Sequence, residues 1–372
     1  MVKKILVCFG TRPEAIKMCS LIHVLKTSEF EIKVCVTAQH REMLDQVLDF
    51  FEIIPDYDLN IMKPNQSLNE LSSRIFIKID QVLSDVQPDL VLVHGDTTTS
   101  SICAWAAFHK GIKVAHVEAG LRTYNKQAPF PEEVNRQVTA RIADYHFAPT
   151  KNAQDNLLNE KILAQNILVT GNTVIDSLLW TIAKLENNFT NVKIEALKSK
   201  VDFTKKLILV TGHRRENFGD GFLNICKALA NIATNNDVEI IFPVHLNPNV
   251  QEPVMSLLSK YKNIHLIEPL DYPSFVWMMS KSYLIITDSG GVQEEAPSLG
   301  KPVLVMRETT ERPEAVEAGT VILVGTNYEM ISKKTFELLN NLELYQKMSK
   351  SYNPYGDGNA NQKIMKFIKE RL

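Results

Sequence analysis

Cysteine is scarce in this sequence of 372 residues, with only 5 copies, an odd number scattered along the chain. None of them forms a C-x-x-C pair, and all lie in apolar strand or helix patterns. Disulfide frameworks and cysteine-based metal sites need paired or closely spaced cysteines. We therefore expect free, buried thiols and a reducing, cytoplasmic location.

Long hydrophobic runs and a surplus of basic charge are also absent. No apolar run approaches the ~18 residues that a membrane-spanning helix needs. The apolar stretch at 5–9 follows two lysines, but it is too short for a signal peptide and no cleavage site follows it. The net charge is −2, which argues against general binding to nucleic acid. We expect neither membrane nor nucleic acid as a partner.

Several familiar chemical motifs are missing. The chain has no G-x-G-x-x-G or Walker loop, no H-x-x-x-H or H-E-x-x-H pair and no G-x-S-x-G elbow. These absences disfavour a dinucleotide enzyme, a metalloenzyme and a serine hydrolase. We therefore predict that the protein uses no cofactor and no metal.

What the chain does contain is an alternation of short apolar runs with longer amphipathic ones, which predicts parallel βαβ units. Its length favours two domains. The alternation breaks around 171–202, where a long helical pattern and then a polar segment occur. We predict domains at 1–170 and 171–359. The predicted strands lie at 4–9, 32–37, 90–94, 114–117 and 145–148, and then at 207–211, 239–243, 264–267, 284–287, 303–305 and 321–324.

Polar side chains follow the predicted strands of the first half, where ligands of parallel sheets bind. Gly10 allows a tight turn after the first strand, and Arg12 and Lys17 then lie near a helix N-terminus, which favours anions. Asp96 and Glu118 follow two later strands. For Asp96 a purely structural role as a helix cap is an even alternative, and this alternative is weaker for Glu118.

Further candidates begin helices. Glu132 stands in a first turn, where an acid can act on a substrate or simply complement the helix dipole. In the second half a histidine and two arginines at 213–215 suit phosphate binding or proton transfer. Gly290 and Gly291 begin another helix, so their backbone N–H groups can meet a diphosphate. Glu295 lies one turn further, where its carboxylate can accept both hydroxyls of a ribose.

Taken together, these segments resemble the non-hydrolysing UDP-N-acetylglucosamine 2-epimerases of bacteria. The resemblance implies an α/β fold in which two Rossmann-like domains, with parallel sheets flanked by helices, face a central cleft as in GT-B glycosyltransferases. It also implies a homodimer, and a final helix at about 360–372 that packs back on the first domain. The matching segments are 10–18, 37–41, 94–99, 116–123, 171–173, 212–217, 288–300, 309–314 and 353–358.

The resemblance assigns roles to individual residues. The family's catalytic positions fall on Asp96, Glu118, Glu132 and His213. At Leu270 the family varies in side chain, so recognition through the backbone is implied. The positions that contact the UDP-sugar fall on Arg12, Lys17, Asp96, Glu118, His213, Leu270, Phe275, Ser289, Gly290, Gly291, Glu295 and Arg312.

Some members of the family bind a second UDP-N-acetylglucosamine as an allosteric activator. Four positions of that second site match, namely Gln39, Glu132, Arg214 and His245. Two positions depart, because this chain has Glu42 where an activated member has glutamine and Asn65 where it has arginine. We therefore expect weak or modest activation by substrate.

The chemistry of C2 inversion favours elimination over oxidation. The C2 hydrogen of N-acetylglucosamine is not acidic, and oxidation of a neighbouring carbon needs a nicotinamide. Expelling UDP from C1 makes this hydrogen removable and gives 2-acetamidoglucal. Returning a proton and UDP then gives UDP-N-acetylmannosamine, a precursor for surface polysaccharide in the family. The sequence leaves open which carboxylate acts on which face of C2.

Three other functions stay open at this stage. A hydrolysing 2-epimerase would release free N-acetylmannosamine, and a GT-B glycosyltransferase would need an acceptor groove. A catalytically silent UDP-sugar sensor would bind without reaction. The products formed from UDP-N-acetylglucosamine alone separate these alternatives.

Overall fold

The computed structural model describes residues 2–38, 41–63, 65–187, 189–235 and 237–372. The chain divides into two compact units. Unit 1 runs to Leu179 and also includes Tyr355–Leu372, and unit 2 is Trp180–Pro354.

Unit 1 contains a 7-stranded sheet in which every neighbouring pair of strands is parallel. The strand order β3-β2-β1-β4-β5-β6-β7 reverses at β1, as in a Rossmann fold. The strands are β1 (Lys4–Phe9), β2 (Glu31–Val36), β3 (Tyr57–Asp58), β4 (Leu90–His94), β5 (Lys113–Val117), β6 (Tyr145–Ala148) and β7 (Ile167–Val169). The helices are α1 (Arg12–Lys26), α2 (Arg41–Phe50), α3 (Leu68–Val86), α4 (Thr98–His109), α5 (Glu132–Ile142), α6 (Lys151–Asn159) and the first half of α7 (Thr173–Glu186), which continues into unit 2.

Unit 2 repeats this topology with a 6-stranded parallel sheet in the order β10-β9-β8-β11-β12-β13. Its strands are β8 (Lys206–Thr211), β9 (Val238–Pro243), β10 (Ile264–Ile267), β11 (Leu284–Thr287), β12 (Val303–Val305) and β13 (Val321–Leu323). Its helices are α8 (Val192–Lys200), α9 (Asp220–Ile232), α10 (Pro248–Leu258), α11 (Tyr272–Lys281), α12 (Gly290–Glu295), α13 (Pro313–Glu317), α14 (Tyr328–Asn340) and α15 (Leu342–Ser349). The last helix of the chain, α16 (Ala360–Lys369), belongs to unit 1.

Near-continuous apolar strands form the core of each unit, because helices cover the sheet and exclude water from it. In unit 1 the buried faces of α3 and α4 pack with β1, β2 and β4. The five cysteines are free and buried, as predicted. Among the residues that the structure describes, no helix is long and apolar enough to cross a bilayer.

The predicted α/β class with parallel sheets is confirmed, but some elements were missed. The strands β3 and β7 have 2 and 3 residues, which is too short for any periodicity to show. The segment interpreted as polar contains α8. Asn191 begins this helix by accepting hydrogen bonds from the backbone of Lys193 and Ile194, and only Ile194 and Leu197 are buried.

The chain leaves unit 1 later than the boundary predicted at 170/171, because the first half of α7 stays attached to α1. Ser177 Oγ donates to the carbonyl of Ile16 at 2.5 Å and lies 2.6 Å from Ser20 Oγ. The chain returns to unit 1 at Tyr355, whose carbonyl accepts the N–H of Asn172 at 2.7 Å. Polar contacts of this kind are invisible to strand and helix periodicity.

Asp176 on α7 holds the first turn of α16. Its Oδ2 accepts the N–H of Ala360 at 3.2 Å, and its Oδ1 accepts the N–H of Asn361 at 2.9 Å. Both N–H groups belong to the start of the helix, where they lack partners within the helix itself. The other end of α16 packs through Phe367, whose ring meets those of Tyr145 and Phe147 edge-on at 5.6 Å between centroids.

We predict that Asp176→Asn changes how stability depends on pH. Burial raises the pKa of Asp176 from 3.8 to about 6, against the opposing effect of its backbone hydrogen bonds. A pKa that is raised by folding gives stability that is complete below pH 3.8 and lost as the pH rises through about 6. The wild-type free energy of unfolding, relative to the variant, should therefore fall by roughly 3 kcal/mol over this range in urea titrations.

Asp89 supplies a control of opposite sign. The hydrogen bond from Lys3 lowers the pKa of Asp89, which also accepts the N–H of Lys4 at 2.9 Å. For Asp89→Asn, the wild-type advantage should grow as the pH rises through the folded pKa of this carboxyl. A constant difference between wild type and Asp176→Asn at every pH would contradict the first prediction.

Candidate active site

The loop after β1 carries Arg12 as the exposed first residue of α1. Gly10 permits the close approach of this loop to its neighbours, because a Cβ there would lie 1.9 Å from Thr37 Oγ1 and 2.7 Å from Thr99 Oγ1. Thr11 caps the helix and Glu14 completes a capping box with it. Arg12 is thus presented at a helix N-terminus, where an anion is favoured.

Glu118 lies directly after β5 and is surrounded by donors. The Lys17 ammonium pairs with Glu118 Oε2, and Asn172 Nδ2 donates to the same oxygen at 3.0 Å. The backbone of Glu118 adopts φ +62°, a left-handed conformation that is rare for a residue with a Cβ and that recurs at functional sites. Only 10% of its side chain is exposed.

His94 approaches the same carboxylate from the end of β4. Its Nε2 lies 3.7 Å from Glu118 Oε2. Burial lowers the pKa of His94 to about 4, although the charge of Glu118 opposes this shift. The imidazole next to Glu118 is therefore neutral at neutral pH, and Lys17 is the cation of this cluster.

Asp96 is not the cap of α4, so this alternative is wrong. Thr97 caps the helix by accepting the N–H of Ser100, and the Asp96 carboxylate instead accepts Arg136 Nη2 at 2.6 Å. Asn135 Nδ2 donates to the Asp96 carbonyl at 3.0 Å. Burial raises the pKa of Asp96, and the negative charges of Glu118 and Glu132 act in the same direction, against Arg136 and Lys17.

The helix α5 begins with Glu132, which is partly exposed. Its neighbour Glu133 is fully buried and faces the other way, accepting the N–H groups of Thr123 and Tyr124 at 3.0 Å each. Glu133 also lies 3.5 Å from Arg136 Nη1. The first turn of α5 therefore joins the loop after β5 to the guanidinium that holds Asp96.

In unit 2, Asp288 organises the loop after β8. This fully buried carboxylate accepts the N–H groups of His213 and Arg214 at 2.8 Å each, and Asn217 Nδ2 at 3.3 Å. His213 Nδ1 lies 3.3 Å from Asp288 Oδ1. Burial alone would raise the pKa of Asp288, but the hydrogen bonds from His213 and the backbone lower it.

His213 and Arg214 lie beside a residue from the next strand end. The rings of His213 and His245 stack at 5.7 Å between centroids. Arg214 Nε donates to the Asp288 carbonyl at 3.2 Å. Gln39, the other position predicted for a second sugar, lies outside the described residues, while the departing residues Glu42 and Asn65 are exposed.

The segment after β11 brings Ser289, Gly290 and Gly291 to the start of α12. A Cβ at Gly290 would lie 3.2 Å from Arg312 Cζ, so a side chain there would push on the guanidinium. Arg312 Nε donates to Glu294 Oε1 at 2.8 Å, which holds the guanidinium in place. At Gly291 a Cβ would meet protein atoms only at 3.9 Å or more, so packing within unit 2 does not demand glycine there.

The remaining predicted contact residues also lie on or next to helices that follow strands. Glu295 ends α12 and is buried, with 7% of its surface exposed. Leu270 and Phe275 flank the start of α11, which follows β10 and is capped by Asp271. Within the described ranges, no group of His, Cys, Asp or Glu side chains is arranged to hold a metal ion.

Sequence reasoning missed the residues that hold the candidates in place. Asn172 and Asp288 stood inside the recognised segments, and Arg136 lies in the same predicted helix as Glu132, but none of the three received a role. Each is a polar residue that binds a carboxylate or a backbone loop from another strand end. Such pairings are long-range, so neither spacing nor periodicity signals them. The left-handed backbone at Glu118 likewise carries no sequence signal.

Comparison with known proteins identifies the family. The family model described as UDP-N-acetylglucosamine 2-epimerase matches residues 23–369. The UDP-N-acetylglucosamine 2-epimerase of Campylobacter jejuni is 57% identical over 375 residues, which cover 99% of this chain and 98% of the relative. The chain belongs to the UDP-N-acetylglucosamine 2-epimerase family.

Solved structures of the family have the same fold. A crystal structure of the UDP-GlcNAc 2-epimerase from Neisseria meningitidis bound to UDP-GlcNAc has a TM-score of 0.90 and 51% identity, covering 99% of this chain and 100% of that chain. The Escherichia coli K12 epimerase is 56% identical over 98% of this chain and 98% of its own length. The resemblance identified from the sequence is confirmed, and the matches support a 2-epimerase.

We predict that Asp288→Ala exposes the loop after β8 to faster amide exchange. The N–H groups of His213 and Arg214 would lose an ionised acceptor, a bond of about 1.5–3 kcal/mol. Exchange at these amides should accelerate roughly 10- to 150-fold if it proceeds by local opening. Hydrogen exchange read by mass spectrometry on a peptide spanning both residues measures the effect.

Asp288→Asn is the matched control, because its amide oxygen still accepts both N–H groups. Exchange in this variant should stay close to wild type. Unchanged exchange in Asp288→Ala would show that other contacts hold the loop.

Proposed function

We propose that this epimerase is of the non-hydrolysing type and interconverts UDP-N-acetylglucosamine and UDP-N-acetylmannosamine while the sugar leaves and rejoins UDP. The observation that carries the proposal is the meeting of Asp96, Glu118 and Lys17 at the carboxyl ends of β4 and β5. Glu132 adds a further acid whose charge acts on Asp96. A relative that is similar over its whole length is bound to UDP-GlcNAc, which supports the same substrate here.

The reaction proceeds in two balanced steps. The C1–O bond breaks, UDP takes its electron pair, and a carboxylate removes the C2 hydrogen as a proton, which leaves 2-acetamidoglucal with a C1–C2 double bond. A second acid then adds a proton to C2 from the opposite face while UDP returns to C1. Charge develops on the departing diphosphate, so fixed donors that face it lower the barrier.

The carboxylates of unit 1 are suited to the two proton transfers. The Lys17 ammonium and the Asn172 amide favour the ionised form of Glu118, which can then accept a proton. Asp96 has a raised pKa, which favours the protonated form that can donate.

Unit 2 supplies the groups that bind UDP in our proposal. The N–H groups of Gly290 and Gly291 bind the diphosphate together with Ser289. Packing within unit 2 does not require glycine at 291, and the missing side chain leaves space for the diphosphate. Glu295 accepts the ribose hydroxyls. His213 and Arg312 lie at the same edge of the second sheet and neutralise the leaving group. Leu270 and Phe275 complete the contacts proposed for unit 2. Arg12, at the start of α1, is a further proposed contact of the UDP-sugar.

We also propose a second binding site for UDP-N-acetylglucosamine. The stacking of His213 on His245 and the contact of Arg214 with Asp288 support a second site close to a proposed catalytic residue. The departures at Glu42 and Asn65 favour modest activation. We further propose a homodimer and a role in supplying precursors for surface polysaccharide, by analogy with the family.

Product analysis in D₂O tests the function. The purified protein, incubated with UDP-N-acetylglucosamine alone, should give UDP-N-acetylmannosamine that carries deuterium at C2, because the removed proton exchanges with solvent. Long incubation should release traces of UDP and 2-acetamidoglucal. NMR of the products reads both outcomes without added NAD.

The alternatives give different products. Free N-acetylmannosamine with stoichiometric UDP would indicate a hydrolysing epimerase. Binding without any reaction would indicate a transferase or a sensor. Retention of the original hydrogen at C2, together with NAD extracted from the protein, would replace elimination by oxidation.

The carboxylates are tested one at a time. Asp96→Asn, Glu118→Gln and Glu132→Gln should each lower kcat on the order of 10²–10⁴-fold, the contribution expected of a general acid or base. Circular dichroism and melting should stay near wild type. Glu329→Gln is the matched control, since Glu329 is also a first-turn acid, of α14. Near-normal turnover in any of the three variants would show that the replaced residue has a structural role and not a catalytic one.

A further inference from the structure

Glu14 has no role in the reaction as proposed, yet its buried carboxylate touches two of the loops that carry proposed site residues. Its side chain is 2% exposed. Oε2 accepts the N–H groups of Gly10 at 3.1 Å and Thr11 at 2.8 Å, in the loop after β1. Oε1 accepts the hydroxyl of Thr97 at 2.8 Å, in the loop after β4. We call this set of contacts the Glu14 bridge.

Helix capping alone does not explain the bridge. The chain contains a second capping box at α3, where Glu70 Oε2 accepts the N–H of Ser67 at 2.8 Å and Ser67 Oγ accepts the N–H of Glu70 at 3.2 Å. That capping box is exposed to solvent and caps its own helix. Glu14 performs the same local task but is buried, and it binds a hydroxyl that is far away in the sequence.

The bridge spans a place where the two loops pack closely. A Cβ at Gly10, in the loop after β1, would lie only 2.7 Å from Thr99 Oγ1 in the first turn of α4. The Thr99 hydroxyl is itself 2.8 Å from that of Thr37, which follows β2. Thr97 accepts the N–H of Ser100 and so caps α4 while it donates to Glu14. The hydroxyl of Thr97 therefore fixes the start of α4 against the start of α1.

Each end of the bridge is adjacent to a proposed site residue. Arg12 directly follows Thr11, and Asp96 directly precedes Thr97. We propose that Glu14 is a positioning residue that holds Arg12, a proposed contact of the UDP-sugar, in register with Asp96, a proposed proton-transfer residue. This inference rests on the proposed function.

The energetics of Glu14 agree with a role beyond capping. Burial raises its pKa from 4.5 to about 7, and the hydrogen bonds from Thr97, Thr11 and Gly10 act against that rise. An ionised or half-ionised carboxylate kept in this place is unfavourable unless those donors are present.

The test compares Glu14→Ala and Thr97→Val with their conservative partners Glu14→Gln and Thr97→Ser. A glutamine can offer its oxygen to the loop N–H groups and its amide to the Thr97 hydroxyl, and serine keeps both the bridge and the cap. We expect kcat to fall on the order of 10- to 100-fold in Glu14→Ala and Thr97→Val, as for a small misplacement of reacting groups. The conservative variants should stay near wild type.

Glu70→Ala is the control for capping as such. It should lower the melting temperature without lowering kcat, measured well below the melting temperature of every variant. The inference is overturned if Glu14→Ala keeps its kcat, if Glu70→Ala loses as much, or if Glu14→Gln is as impaired as Glu14→Ala.

A second measurement separates this inference from the proposed function. Hydrogen exchange at the amides of residues 97–100 should accelerate in Glu14→Ala but not in Glu70→Ala, whatever reaction the protein catalyses. If the wild-type protein fails to epimerise while this coupling is present, the proposed function has failed and the bridge has not. If the wild type epimerises and the coupling is absent, the bridge is wrong.

Discussion

Each sheet consists only of parallel strands, and this constraint decides where every candidate residue lies. In a parallel sheet all carboxyl ends emerge at one edge, and the following helices begin there. The loops after β1, β4 and β5 therefore share an edge, as do those after β8 and β11. Residues distant in sequence, such as Lys17 and Glu118, become neighbours without any further device.

At these sheet edges the carboxylates are largely shielded from water, so each needs a partner that compensates for the lost hydration. Glu118 is paired with Lys17, Asp96 with Arg136, and Asp288 with backbone N–H groups and His213. The partners differ in kind, and the pKa shifts differ accordingly. The pKa of Asp96 is raised because burial outweighs the charge of one guanidinium. The pKa of Asp288 is lowered because several hydrogen-bond donors outweigh burial. One fold can thus shift the pKa values of its acids in opposite directions.

Much of the fold was predictable from the sequence because buried strands are short, apolar and separated by amphipathic helices. The strands at 4–9, 90–94, 145–148, 264–267, 284–287 and 303–305 lie where the pattern predicted them. The edge strands β3 and β7 were not predicted, because they are too short for an alternation of apolar and polar residues to be recognised. The end of unit 1 within α7 carries no signal in the sequence pattern, since it depends on hydroxyl contacts between α1 and α7. Position after a strand indicated the candidate site residues, but their partners depend on contacts across the sheet.

Sequence reasoning treated helix capping and function as competing explanations for the polar residues that follow strands. The structure shows why this opposition fails. At α4 the two tasks are divided between neighbours, since Thr97 caps the helix and leaves the carboxylate of Asp96 to Arg136. At α1 one side chain combines a local task with a long-range one, because Glu14 caps its own helix and also binds Thr97. A capping residue at a strand end is therefore not a residue without function, because in a parallel sheet the cap of one helix lies within reach of the next loop.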